Sequence, residues 1–422
     1  MISKWQWIGR QLSEKLWLRA GLFCIISVIC ALAGLIIKNY LPINLNFKIS
    51  AEAIYDVLNI IASSMLAVTI FSLSVMVTAY SAAANSATPR STRLLLTDRT
   101  AQNALSAFIG SFLFSLVGII ALKMDIYDEN GRLLLFIATI IVIFLVVLML
   151  LRWIEYLSSL GRLGKTIDMV EKAATASIRE FCEHPYLGGT PLSNLLIKPE
   201  YTTVPHPKIG YIQHIDMATL SKIADQLESP IYVISRPGTF NDSFQAIAYL
   251  GGAVTNESDI EKIQNAFIID GERLFEQDPR FGTIVLTEIA SRSLSQAIND
   301  PGTTIDVLGT LLRVFTILAK ASIELEESAR EIKYANVFIP EIPIEDFFSD
   351  CFSPIARDGA GILEVGIRLQ KTFRSLACMG NSAFQKAVYN QSQYALAQAL
   401  VTLKIEQDKE VIKSIALSSK IS

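Results

Sequence analysis

The sequence predicts a membrane protein of four transmembrane α-helices, N-in and C-in, followed by a cytoplasmic mixed α+β domain. Three observations carry that expectation. Only 18% of the 422 residues are charged, below the about 25% of an ordinary soluble domain, while 51% are hydrophobic. The deficit is local: runs without a formal charge extend for 18 residues between Arg19 and Lys38, 33 between Asp56 and Arg90, 23 between Arg99 and Lys123, and 19 between Arg132 and Arg152. At about 1.5 Å of helical rise per residue, each run spans or nearly spans a hydrocarbon core of about 30 Å. From Gly164 onward the period changes repeatedly and no long apolar run occurs. A wholly soluble, disordered, collagen-like or disulfide-rich chain is thereby excluded. A net charge of −3 gives no general attraction to nucleic acid.

Residues 1–16 form the first predicted element, an interfacial amphipathic helix. Trp5, Ile8, Leu12 and Leu16 fall on one helical face, and the indoles of Trp5, Trp7 and Trp17 suit the headgroup level. The four-helix region covers 17–152, with spans at about 18–38, 57–85, 102–123 and 133–152. Ala31-Leu32-Ala33 resembles a signal-peptide cleavage site, but the uncharged run before it is longer than a signal core needs. Basic residues cluster in the N-terminal segment (Lys4, Arg10, Lys15, Arg19), in the middle loop (Arg90, Arg93, Arg99) and after the fourth span (Arg152, Arg162, Lys165, Lys172). The outer loops are short; one holds Lys48, and the other balances Lys123 and Arg132 with Asp125, Asp128 and Glu129. Positive charge therefore places both termini in the cytoplasm.

A helical connector and linker is expected over 153–207, with a helix at 165–182 ended by Pro185 and Gly188-Gly189. The α+β domain is expected over 208–422. Strands are predicted at 209–215, 231–235, 245–250, 266–270 and 335–339, and helices at 217–227, 282–298, 301–323, 355–378 and 383–415. Asn299-Asp300-Pro301 is the sharpest local motif. Asp300 as N-cap before a proline at the first helical position is a good helix start; the alternative is that Asn299 and Asp300 face a ligand.

Several stretches resemble a known family: Ala87-Thr88-Pro89-Arg90 with Thr97 to Asn103, Tyr211 to Asp216, Asp278-Pro279-Arg280-Phe281-Gly282, and Ala297 to Pro301. They resemble the bacterial membrane-protein family named only as domain of unknown function 2254, along the full length of the chain. Ser295-Gln296-Ala297 stands where the family has Ser-Pro-Gly, and Ser243 and Gln245-Ala246 replace its Gly and Pro-Leu after Arg236-Pro237-Gly238-Thr239-Phe240. The resemblance implies four spans, a C-terminal cytoplasmic region and a multi-pass place in the bacterial inner (plasma) membrane. It implies no activity.

Catalytic signals are missing from the sequence. There is no phosphate loop, dinucleotide fingerprint, nucleophile elbow or kinase signature. His206 and His214 straddle a Pro-x-x-Gly break, so no metal site follows, and His184 suits a helix end. Glu324, Glu326 and Glu327 make one solvated helix face. Five cysteines lack metal spacing and fit buried residues of a reducing compartment. No catalytic residue, metal or cofactor is expected.

The second span differs from the others. As helix its uncharged run would be about 50 Å long, so it tilts or projects before Pro89 ends it. Ser64, Ala67, Phe71, Ser74, Thr78, Ser81 and Asn85 recur at alternating spacings of three and four, which places them on one stripe. Met65, Leu66, Val68, Ile70, Leu73, Val75 and Met76 suit lipid or apolar packing. No span carries a buried charge or an internal proline, so neither a proton relay nor a broken transporter helix is signalled.

Close helix packing is one reading of the stripe, with Ser106, Gly110 and Gly118 of the third span as matching material. The other is a pore in a ring of identical subunits, with Phe71 as constriction, Asn85 and Arg90 at the inner mouth, and Glu52 and Asp56 at the outer. The expectation adopted is a homo-oligomeric inner-membrane ion channel regulated by its cytoplasmic domain. Its partners are the lipid bilayer, further copies of itself and small ions, with no nucleic acid. The alternative is a membrane-anchored ligand sensor or scaffold without conduction; an enzyme acting on lipid headgroups is the third possibility.

Overall fold

The computed structural model describes residues 4–13, 15–37, 50–192, 200–252, 257–327 and 332–418. Lys38 and Lys48 of the first outer loop lie outside the described residues. Two units result: one runs from Ile8 to Thr166, and the other takes the N-terminal residues up to Trp7 together with Ile167 onward. The division falls inside helix α1 (Lys4–Ser13) and inside helix α7 (Leu163–Glu183).

The first unit is built from α2 (Leu16–Ile37), α3 (Ala51–Ser86), α4 (Pro89–Leu96), α5 (Arg99–Lys123) and α6 (Glu129–Ser159). Its helix starts are set by capping side chains. Ser50 accepts from the Glu52 N–H, Asp98 from Thr100 and Ala101, and Asp128 from Gly131. Thr88 and Ser91 close a reciprocal box around the start of α4, with Pro89 at its first position. The 36 residues of α3 end just before that proline.

α5 is the central rod. Ser106 and Ser115 are buried, Gly110 backs onto Phe23 and Ser27 of α2, and Gly118 lies between Leu58 of α3 and Leu135 of α6. A Cβ at Gly110 would fall 2.9 Å from the Ser27 hydroxyl, so this approach depends on glycine. α3 and α6 are tied by Trp153, whose Nε1 donates to the buried Ser72 hydroxyl at 2.8 Å.

The second unit holds two sheets and a helical bundle. A five-stranded sheet has the order β1-β8-β4-β6-β2, formed by β1 (Gly189–Leu192), β2 (Thr202–Pro205), β4 (Ile231–Val233), β6 (Ala246–Leu250) and β8 (Tyr334–Pro340). β8 pairs parallel with β1 and β4, whereas β6 pairs antiparallel with β4 and β2. A three-stranded antiparallel sheet places β3 (Gly210–Ile215) between β5 (Phe240–Asn241) and β7 (Phe267–Asp270). Helices α8 (Met217–Gln226) and α9 (Glu257–Asn265) pack with the sheets around Leu220, Ile231, Ile247, Ile263 and Val337.

The bundle comprises α10 (Phe281–Ser293), α11 (Pro301–Glu327), α12 (Ile344–Asp358), α13 (Leu363–Ala377), α14 (Ser382–Thr402) and α15 (Glu406–Ile415). Phe315, Phe348, Phe352, Phe373 and Phe384 interlock at its centre with mostly edge-on geometry.

The linker expected at 183–207 instead contains β1 and β2. Gly189, read as a helix stop, starts a strand so close to β8 that a Cβ would lie 2.6 Å from the Val337 carbonyl oxygen. The long helix expected at 355–378 begins earlier, at Ile344, and breaks at Gly359-Ala360-Gly361. The one expected at 383–415 breaks at Leu403-Lys404-Ile405.

Among the described residues four helices are long and apolar enough to cross a membrane: Ala51–Ser86, Arg99–Lys123, Glu129–Ser159 and Pro301–Glu324. Gln6–Ser13 and Trp17–Leu32 form a bent pair that is long and apolar enough only when taken together. Pro301–Glu324, expected as a helix of the C-terminal domain, lies in the second unit and buries Val307, Leu308, Leu311, Val314, Phe315 and Leu318 under protein. Its Arg313 forks onto Glu171 of α7. Its apolar content is that of a core helix wrapped on most sides.

Candidate functional site

The stripe of α3 turns away from the helices packed against that rod. Ile54, Leu58, Ile61, Met65, Ser72, Met76 and Ala83 are buried, and at 3.6 residues per turn they mark one side of the rod. Ser64, Ala67, Phe71, Ser74, Thr78, Ser81 and Asn85 all lie on roughly the opposite side and are exposed, Phe71 by 64%. Leu66, Ile70, Leu73 and Val77 are exposed as well, in the sector between stripe and core. The uncovered surface of α3 thus divides into a hydroxyl-rich sector and an aliphatic one.

Thr78 satisfies its own hydroxyl by donating to the Ser74 carbonyl at 3.0 Å, as a buried helix hydroxyl does. Ser64, Ser74, Ser81 and Asn85 make no side-chain hydrogen bond among the described residues. Gly110 and Gly118 of α5 do not meet this stripe; Gly110 meets α2 and Gly118 meets the buried side of α3. Of the residues expected at pore mouths, Glu52 and Asp56 are exposed in the first turns of α3, with Asp56 in line with the stripe, and Arg90 is exposed at the start of α4.

Asp300 is engaged as a cap. Its carboxylate accepts from the Thr303 N–H at 3.1 Å and the Thr303 hydroxyl at 2.7 Å, and these bonds hold it below the usual carboxylate range. Asn299 takes a left-handed backbone, φ 49°, in the exposed turn before it. His206 Nδ1 accepts from the Lys208 N–H. Among the described residues no three His, Cys, Asp or Glu side chains are grouped to hold a metal.

A second constellation was not read as chemistry from the sequence: residues 211–216, 236–240 and 273–282 meet in one place. The 236–240 turn is stitched to β3 by Gly238 N–H to Ile212 O and Ile212 N–H to Thr239 O. Gly238 faces Asp278 so closely that a Cβ would lie 2.2 Å from Oδ2. That oxygen takes both Nε and Nη2 of Arg273, at 2.8 and 2.6 Å, while Oδ1 accepts the N–H groups of Arg280 and Phe281 at the start of α10. Burial raises the Asp278 pKa, and Arg273 works against it. Arg236 is buried beside them without a carboxylate in ion-pair contact among the described residues: it donates to the carbonyls of Pro340 and Pro185, and burial pushes its pKa down to about 10.

Asp216 divides its carboxylate between two helices. Oδ2 accepts the Lys4 N–H at the start of α1 at 2.8 Å, and Oδ1 accepts the Thr219 N–H of α8 at 3.1 Å. Trp7 stacks on the buried His214, with ring centroids 5.5 Å apart. An indole expected at the headgroup level is therefore packed inside the second unit, while Trp17 is exposed.

These features define a membrane protein with several apolar helices joined to a mixed α/β C-terminal region. The chain belongs to the family described as predicted membrane protein (DUF2254), whose model matches residues 13–375. No curated protein and no solved structure matches it.

Proposed function

We propose that the protein is a homo-oligomeric ion channel of the bacterial inner membrane, its path lined by α3 and regulated by a cytoplasmic C-terminal unit. The observation that carries this reading is the direction of the stripe: six small or polar side chains and Phe71 face out of the subunit, on the side of α3 that its own core leaves bare. A hydroxyl or amide turned toward hydrocarbon without a partner costs free energy. A ring of subunits would face that sector to water and leave the Leu66, Ile70, Leu73 and Val77 sector to neighbours or lipid. Phe71 would form an apolar constriction, Asp56 and Glu52 one mouth, and Asn85 and Arg90 the other.

The test is planar-bilayer recording of purified protein beside Phe71→Ala. The wild type should conduct, and the variant should show larger or less strictly gated currents. An intact oligomer that carries no current in either form, across varied pH and salt, would overturn the proposal in favour of an anchored sensor or scaffold.

A further inference from the structure

Where the end of α7, the β8–α12 connection and the start of α14 come together, the second unit carries a half-open cavity of about 440 Å³. That volume lies within the about 300–1,000 Å³ typical of small-molecule sites. Phe181, Tyr186, Phe347 and Leu318 form apolar walls, and the exposed Glu341 and Glu345 stand at the edge. Phe181 and Phe347 are in contact, 5.6 Å between centroids and tilted by 45°. No Lys, Arg or His lines the space.

The remaining polar groups are occupied. Ser322 Oγ accepts the Asn381 N–H at 3.0 Å, and Asn381 Oδ1 caps α14 through the Phe384 N–H. Arg236 sits behind Phe181, 5.8 Å from its centroid, and its donors go to backbone carbonyls. Neither Glu341 nor Glu345 is ion-paired among the described residues. Two helix N-termini lie nearby, which by themselves favour an anion. Glu345 and Asp346 in the first turn of α12 oppose one, and the Asn381 cap occupies the other. An anion entering here would meet two carboxylates, whereas a cation would meet carboxylates and aromatic faces together.

We propose that this cavity binds a small organic ammonium ion with an apolar body. The body would rest on the partly exposed rings of Phe181 and Tyr186, and the ammonium group would lie between Glu341 and Glu345. The proposal is independent of conduction by α3.

Isothermal titration of the full-length protein in dodecyl maltoside, with empty micelles as blank, tests it using phenethylammonium, 2-phenylethanol and phenylacetate. These probes share one apolar body and differ in head charge. Phenethylammonium should bind at least fivefold more tightly than the alcohol, and phenylacetate weakest of all. The exposed double substitution Glu341→Gln with Glu345→Gln should abolish the preference for the amine while leaving the alcohol unchanged. Equal binding of amine and alcohol, tighter binding of the acid, indifference to the double substitution, or no binding heat from any probe would each overturn the assignment.

Discussion

His214 offers a quantitative test of how the N-terminal residues are held. The imidazole is 0% exposed under Trp7, and neither ring nitrogen makes a well-formed hydrogen bond. Burial pulls its pKa from 6.5 down to about 4, against the opposing influence of Asp216 and the Gln277 side chain; Lys4 pushes the same way as burial. Above pH 6.5 the folded and unfolded chains both carry a neutral imidazole, and the full stability is present. Between 6.5 and 4 the unfolded chain takes up the proton first, so stability falls as the pH drops, and below 4 the loss is complete. A shift of this size corresponds to about 3 kcal/mol in total, of which about 2.5 kcal/mol is lost by pH 4.5. Urea unfolding of the detergent-solubilised protein, followed by tryptophan fluorescence at pH 7.5 and 4.5, reads the effect. His214→Phe keeps the ring packing and removes the titration, so it should match wild type within about 1 kcal/mol at pH 7.5. It should retain about 2 kcal/mol more than wild type at pH 4.5. Carboxylates titrate in the same window in both proteins and cancel in the difference. Equal losses in wild type and variant would refute the burial argument.

Gly238→Ala should destabilise the protein by about 2–4 kcal/mol, because φ is +91° there and the new methyl would strike an Asp278 oxygen held by Arg273; an unchanged melting temperature would contradict the close approach. Ser72→Ala strands the buried Trp153 N–H and should cost about 1–3 kcal/mol in denaturant unfolding. Phe71→Ala, at a mostly exposed side chain, should leave the stability of the single chain within about 0.5 kcal/mol of wild type, so that any change in current would report on the proposed path rather than on folding.

Much of the local structure is legible in the residues themselves. Asp300 announces a helix start because the capping carboxylate and the amide it satisfies lie three residues apart. The strands at 210–215, 231–233, 246–250 and 267–270 follow from short runs of Ile, Val and Phe. β1 and β2 were missed because Gly189, Pro191 and Pro205 carry turn chemistry locally; their hydrogen-bond partners on β8 and β6 lie far along the chain. The buried Arg236 was equally illegible, since its acceptors are backbone carbonyls 51 and 104 residues away. Arg236-Pro237-Gly238 and Asp278 to Gly282 could be quoted as motifs, but nothing local shows that they touch.

The seven stripe residues mark the same boundary. Helical periodicity places Ser64 through Asn85 on one side of a rod, and apolarity makes that rod long enough to cross a membrane. Both are properties of the chain read a few residues at a time. Which side of the rod the neighbouring helices cover depends on Gly110 and Gly118 letting α5 approach them and on Trp153 finding Ser72. Small residues suit a tight helix contact and a wetted surface equally well, so only the packing of distant segments could decide that the stripe of α3 is left uncovered.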